Sequence, residues 1–452
     1  MEQRMKKWAL LLFAASVLHC SGERAGVPMP SAESPLEGAG KATPPTSAES
    51  EAATTSPSER GDPAVATTPG PSEAGPVPTA LAGTGGAPGA ATPEGNGGSA
   101  GAPSPEPTST VFDGRFILGA DISSVDEAID GGAVYVDTDG VEKNLLELLA
   151  NHGFNYIRLR TFVNPTAPFG YASGNGCTAK REGYADKDHT IAFARQVKAA
   201  GMGLLLDFHY SDTWADPGKQ VIPEAWRGID SIGALAEQVR SYTVDVVAAL
   251  VEAGARPDMV QVGNEITPGM LIHVPTASTD CYGSNSMLRG GVTGSQNNWD
   301  NLAALLRAGI EGVRSIDPTI RTMLHIENTE SLAGVSGWVR NAQQRGVTFD
   351  VLGLSAYEAF QGPASAWRAT LGQLATTFPE LSFAIAEYNP QRRLLNDIMH
   401  ELPEGRGLGT FFWEPTQSGE WGASMFTRQG NRFSANAADF SAYDQMKADF
   451  QL

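Results

Sequence analysis

The sequence predicts an α/β fold, a (β/α)8 barrel, standing behind a leader and a long polar tether. Three observations carry that expectation. Composition changes sharply near residue 110, from Ala, Pro, Ser, Thr, Gly and Glu to a chain rich in aliphatics that holds every tryptophan except Trp8. Beyond that point short apolar runs alternate with amphipathic stretches, as strands covered by helices on their outer face require. Polar residues gather where each apolar run ends. In a barrel all those ends lie on one face, the face that carries chemistry.

The strand candidates are 116–122, 156–162, 203–210, 259–265, 322–326, 351–357, 383–388 and 408–414. Helical patterns occupy 141–152, 187–200, 232–252, 301–315 and 364–378, and Gly153, Gly201 and Gly254 stand where three of them should be capped. Eight strands with interleaved helices fit a closed barrel better than an open sheet. No Gly-x-Gly-x-x-Gly follows the first strand, which weighs against a dinucleotide-binding fold. Residues 111–452 are ample for one barrel, which needs about 250 residues plus loops.

The first 20 residues read as a lipoprotein-type signal peptide. Arg4, Lys6 and Lys7 precede an apolar run from Trp8 to Leu18, too short to span a bilayer permanently. Val17-Leu-His-Cys20 resembles a lipobox, although His19 departs from the usual small residue. An outer-membrane or cell-surface lipoprotein is therefore expected, or else a secreted protein, with any membrane contact made only through a lipid anchor. Residues 21–110 lack the apolar surface needed to offset ordering entropy and read as a disordered tether. Its r.m.s. reach is on the order of 50 Å.

The formal charge of −19 argues against nucleic acid and anionic membranes as partners and suits a neutral ligand such as a sugar. A monomer is expected. Besides Cys20 the cysteines are Cys177 and Cys281, both in Gly/Ser/Asn-rich stretches; they pair in an oxidising compartment or stay free thiols.

Two strand candidates end in a glutamate: Met259-Val-Gln-Val-Gly-Asn-Glu265 and Phe383-Ala-Ile-Ala-Glu387. A carboxylate at the end of a buried strand is costly unless it faces a polar cleft or a partner. From the fourth and seventh strands, Glu265 and Glu387 would face each other across the mouth, the arrangement that glycosidic cleavage by two carboxyl groups needs. The alternative is two structural glutamates, each paired with an arginine. Asn264 can bond a sugar 2-hydroxyl, and Tyr357 with Arg158 or Arg160 can hold Glu387 ionised. Strand parity does not separate the two arginines. Asp207 and His209 on the third strand could be metal ligands, but no second histidine stands at ligand spacing, His325 being the other candidate; a polar wall against sugar hydroxyls is the better reading. Among Trp214, Trp299, Trp338, Trp367, Trp413 and Trp421, the helical pair Trp338 and Trp367 reads as packing, and Trp214 and Trp413 as stacking surfaces for sugar rings.

Asp207-Phe-His-Tyr-Ser-Asp-Thr-Trp-Ala-Asp-Pro-Gly-Lys219, followed by Val262-Gly-Asn-Glu-Ile-Thr-Pro-Gly-Met270, resembles glycoside hydrolase family 53, the endo-β-1,4-galactanases. Gly119-Ala-Asp-Ile-Ser-Ser124, Tyr156-Ile-Arg-Leu-Arg160 and Phe411-Phe-Trp-Glu-Pro415 fit the same pattern, so the resemblance spans about 115–430. It implies retaining, endo-acting hydrolysis of β-1,4-galactan, with Glu265 as acid/base, Glu387 as nucleophile and Arg158 as the arginine beside it. No cofactor is expected to be required, with room for a structural calcium. Three places depart from the family pattern. Leu354-Ser-Ala-Tyr-Glu-Ala-Phe-Gln-Gly362 lacks the usual second tyrosine and Trp-His pair; Ala386-Glu-Tyr-Asn-Pro390 replaces the usual Glu-Thr; and 169–184 is longer. A related hydrolase on another β-linked glycan, or a non-catalytic lipoprotein that captures oligosaccharides, are the competing readings. Retention of both glutamates and Asn264 favours an enzyme.

Overall fold

The structure is a computed structural model that describes residues 112, 114–172, 184–276, 285–286, 290–292, 297–416 and 424–452. The leader with Cys20, the tether, Cys177, Cys281 and Trp421 lie outside the described residues, as does most of the 169–184 stretch.

Eight parallel strands close into a barrel: β1 (Ile117–Asp121), β2 (Tyr156–Thr161), β3 (Gly203–Phe208), β4 (Met259–Val262), β5 (Arg321–Ile326), β6 (Val351–Ala356), β7 (Ser382–Tyr388) and β8 (Gly407–Trp413). Each strand neighbours the next, and β8 pairs with β1 from Ile117 opposite Gly409 to Asp121 opposite Trp413. All eight predicted strands are present. Those expected to run to 210 and 265 stop early because the backbone turns there, with Tyr210 (φ 47°), Gly263 (φ 84°) and Glu265 (φ 46°) in the left-handed region.

Helices follow the strands around the outside: Leu145–Asn151, Lys187–Ala199, Ile232–Glu252, Trp299–Ile316, Leu332–Gln343, Ala364–Thr377, Arg392–His400 and Ala437–Asp449. Four of those named begin at a capping side chain. Asp186 accepts a bond from the His189 amide, and Ser231 accepts one from Ala234, satisfying first-turn N–H groups. The helix at 332–343 places Trp338 in packing, as expected, while those at 392–400 and 437–449 were not anticipated. Nor was a small sheet in which Phe426–Gln429 pairs antiparallel with Arg432–Ala435, and the latter parallel with Val134–Val136. Strands of three or four residues leave almost no periodicity to read.

Packing divides into two shells. Outward-facing strand residues such as Ile157, Leu206, Val260, Leu324 and Leu352 meet the helices. Inside the barrel, Ile117, Tyr156, Leu205, Met259, Met323, Val351, Ala384, Ala386 and Phe411 form an apolar layer. Close fit here needs small residues beside large ones: a Cβ on Gly119 would lie 2.5 Å from the Phe411 ring. Two positions further along the same strands the interior changes character, to Arg158, Asp207, Gln261 and His325, none of them more than 0 % exposed.

Candidate active site

Alternation along β2 turns Tyr156 inward, then Arg158, then Arg160. Arg158 sits at the centre of the polar layer and uses its whole guanidinium. Nη1 donates to Asp121 (2.8 Å) and to Glu387 (3.0 Å); Nη2 donates to Asp207 (2.8 Å) and Asn264 (2.8 Å); Nε donates to Gln261 (3.2 Å). Three carboxylates around one buried arginine make a charged cluster that holds only if every hydrogen is placed. Gln261 completes it by donating to Asp207 at 2.6 Å.

Glu387 reaches this cluster through an irregularity. Leu354 of β6 faces Ile385, but Ser355 faces Glu387, so β7 carries an extra residue at Ala386. Plain alternation from the inward Ala384 and Ala386 would turn Glu387 out toward the helices. The bulge re-aims it to the mouth. Its second oxygen accepts from the Tyr357 hydroxyl at 3.2 Å. Glu265 is placed by the turn after β4, where its own positive φ is a strained conformation for a side chain of that size. Ser355 Oγ lies 2.6 Å from Glu265 Oε1 and 2.9 Å from His325 Nε2.

Arg160 does a different job from Arg158. It donates to Glu414 (2.8 Å), which also accepts from the Ser124 hydroxyl, and its guanidinium lies 4.0 Å from the Trp214 ring and 5.7 Å from Trp413. Trp214 and Trp413, both part-exposed, stand 5.8 Å apart and form an aromatic wall at the mouth. Trp338 and Trp367 are buried in helix packing.

The structure thus brings Glu265, Glu387, Asn264, Arg158, Asp207, His209, Tyr357, Trp214 and Trp413 to one end of the barrel. Their roles differ from a simple sugar-facing wall. Asp207 has no exposed surface; its oxygens are held by Arg158 and Gln261, and His209 Nε2 lies 3.1 Å away. It acts on Arg158 rather than on the cleft. His209, 3 % exposed, accepts from the Ala215 amide through Nδ1. Asn264 Nδ2 donates to the Ala215 carbonyl at 2.8 Å, leaving its second amide hydrogen for a ligand. Gln261, His325 and Ser355 belong to the network; of these the sequence marks only His325, and that as a candidate metal ligand. Parity along β4, β5 and β6 would have turned all three inward with their neighbours. Among the described residues no group of three His, Cys, Asp or Glu side chains could hold a metal ion. A cavity of about 360 Å³ opens at the opposite end of the barrel, beside Tyr156, Asp258 and Arg321, away from all of these groups.

The two glutamates share burial but not surroundings. Burial raises the Glu387 carboxyl to about 7, while the Arg158 guanidinium in contact with it pulls the other way. The expectation that its neighbours would lower it is therefore corrected: Arg158 is there, but burial and the negative Asp121 and Asp207 outweigh it. Glu265 is pushed well above the ordinary range by burial, then by the negative charges of Glu387 and Glu327, with no cation bonded to it. Arg158 favours the ionised form of Glu387, whereas burial and neighbouring negative charge favour the protonated form of Glu265. That is the division of labour an acid and a nucleophile need.

The family model for glycosyl hydrolase family 53 matches residues 117–393. The chain belongs to that family. It is a glycoside hydrolase, and the match covers the barrel through its seventh strand. Among relatives, an uncharacterised protein of Niallia circulans is 33 % identical over 74 % of this chain and 94 % of its own length. An arabinogalactan endo-β-1,4-galactanase of Thermothelomyces thermophilus is 31 % identical over 70 % of this chain and 96 % of its own. The solved family 53 catalytic domain of Ignisphaera aggregans superposes with a TM-score of 0.60 at 27 % identity, over 74 % of this chain and 96 % of that one. A solved fungal β-1,4-galactanase gives 0.59 at 27 % identity, over 72 % and 98 %.

Proposed function

We propose that this hydrolase cleaves β-1,4-galactan internally, by a retaining double displacement. The observation that carries the proposal is the asymmetry of the buried glutamate pair. Glu387, bonded to Arg158 and Tyr357, is the group that ionises first and attacks the anomeric carbon. Glu265, without a cation, protonates the leaving oxygen and later takes a proton from water. Asn264 has an amide hydrogen for the 2-hydroxyl, and Trp214 and Trp413 give sugar rings a flat apolar surface. The substrate class is supported by relatives named as galactanases. We place no cofactor in the reaction.

Incubating the full chain with galactan, mannan, glucan and xylan tests the substrate. Rapid loss of galactan viscosity with short oligosaccharide products is expected; turnover confined to another glycan would overturn the galactan reading. A second reading, a different β-linked glycan, is favoured by one observation. Where the family usually carries aromatic and histidine side chains, Glu358 accepts from the Ala364 amide and from Gln391, giving that rim a different chemistry. Export with a lipid anchor at Cys20 is supported by the basic start, the apolar run and the lipobox-like sequence. Cys20→Ser should then move the protein from the membrane to the soluble fraction.

A further inference from the structure

Five contacts join the two glutamates through the protein. Glu387 accepts from Arg158 (3.0 Å), Arg158 donates to Asn264 Oδ1 (2.8 Å), and Asn264 Oδ1 lies 2.7 Å from His325 Nδ1. His325 Nε2 then lies 2.9 Å from Ser355 Oγ, which lies 2.6 Å from Glu265 Oε1. The positions of the hydrogens follow from what each group can do. Arg158 can only donate and the Ala215 carbonyl can only accept, so the oxygen of Asn264 faces Arg158 and its nitrogen faces Ala215. That oxygen can accept only, so Nδ1 of His325 carries a hydrogen. The amide nitrogen of Gln261, 3.3 Å from Nδ1, is already committed to Asp207 and Asn264.

His325 is fully buried, and burial followed by the nearby Arg158 charge keeps its ring neutral. A neutral ring with hydrogen on Nδ1 has a bare lone pair on Nε2. Ser355 therefore stands between two acceptors, His325 Nε2 and the ionised Glu265, with one hydrogen to give. When Glu265 is protonated, that hydrogen serves His325. When Glu265 is ionised, the carboxylate and the imidazole compete for it, and one buried acceptor goes short.

We propose that Ser355 is the positioning residue of Glu265, its single hydroxyl hydrogen contested by a His325 ring that Asn264 locks in one tautomer, and that this contest sets how readily Glu265 releases and regains its proton. The proposal rests on reading Glu265 as the acid/base. The charged and titratable groups that also face Glu265 are Glu387 from β7, Glu327 from the end of β5, Asp216 from the loop after β3, and Tyr357 from the end of β6. Those facing His325 are Arg158, Asp207 and His209. Ser355 Oγ bonds His325 Nε2 and Glu265 Oε1, so changing Ser355 acts on that contest.

The test compares three variants with the wild type in the full chain, over a pH series. Ser355→Ala removes the donor from ionised Glu265, so the alkaline limb of kcat/KM moves to higher pH. His325→Leu removes the competitor, so the same limb moves to lower pH. Ser355→Thr keeps the hydroxyl and returns the limb toward wild type. Carboxyl 13C NMR of glutamate-labelled protein, with Glu265→Gln to assign the signal, follows the titration of Glu265 without any substrate. It keeps the test decisive if His325→Leu fails to fold, and it separates failure here from a wrong reaction. Opposite displacements by Ser355→Ala and His325→Leu, or the NMR shift with Ser355→Ala alone, support the proposal. An unmoved Glu265 titration in Ser355→Ala, or displacement in the same direction by both variants, overturns it.

Discussion

Two layers of the barrel interior sit one above the other on the same strands, and they obey different rules. In the lower one, Tyr156, Leu205, Met259, Met323 and Phe411 fill space, and any side chains of matching volume would serve. In the upper one, Arg158, Asp207, Gln261 and His325 occupy the next inward positions, and each polar atom has an assigned partner. Burial is complete in both. It stabilises the first directly, whereas in the second it raises the energy of every charge and so makes proton affinity sensitive to single contacts. The mouth of the barrel can therefore hold two carboxyl groups in different states a short way above an ordinary core.

Breaking the upper layer at its reactive ends gives the largest effect. Glu265→Ala and Glu387→Ala should each fold with a thermal transition near wild type and lose at least about 10⁴-fold in kcat on polymer. Azide should restore turnover of an activated aryl glycoside in both, with opposite products. Glu387→Ala should yield the α-glycosyl azide by direct displacement, and Glu265→Ala the β-azide by attack on a glycosyl-enzyme. Product chirality by NMR checks the assignment, and the same azide from both variants would contradict it.

Removing the hub compares the layers directly. Arg158→Met leaves Asp121, Asp207 and Glu387 without their shared cation and should destabilise by about 3–5 kcal/mol in urea unfolding. Met323→Ala in the lower layer should lose a similar about 2–5 kcal/mol, yet leave kcat per folded molecule unchanged. The layers would be equivalent, against this account, if Met323→Ala also altered the pH profile.

The pH profile of the wild type sharpens the same contrast. Glu387 must be ionised to attack, and burial lifts it to about 7, so kcat/KM should fall as pH drops through about 7 rather than near the ordinary carboxyl range. A limb near pH 4 would mean that Arg158 outweighs burial.

How far the sequence discloses this contrast depends on the kind of order involved. Strand positions were legible because each is an apolar run followed by a polar end, and alternation along Tyr156-Ile-Arg-Leu-Arg160 already marks Arg158 as interior. The choice between Arg158 and Arg160 was not legible from parity, since both point inward; which carboxylate each meets depends on the neighbouring strands. Glu387 illustrates the opposite failure. Simple alternation gives it the wrong face, and only the bulge at Ala386 corrects that. Gln261 and Ser355 went unmarked because neutral polar residues within apolar runs look unremarkable until their partners are known.

The smallest expected effect lies beside the outer helix at 145–151, where Asp137 meets His152. Burial raises the Asp137 carboxyl, but bonds from Lys143 and His152 more than reverse this and hold it down at about 2. A depressed carboxyl contributes stability that is complete above its unfolded value near 4 and disappears as pH falls through about 2. Asp137→Asn should therefore lower Tm by about 2–4 °C at pH 7, with the gap closing toward pH 2. A gap that stays constant across that range would remove the linkage.

The central claim is that Glu387 attacks carbon while Glu265 handles the proton, and the stereochemistry of the first product tests it most directly. Proton NMR within minutes of mixing enzyme and polymer, before mutarotation, reads the configuration of the new reducing end. Two successive inversions predict the β-anomer first, with α appearing only as it equilibrates. An initial α-anomer would mean that water, not Glu387, attacks the sugar, and would contradict the account.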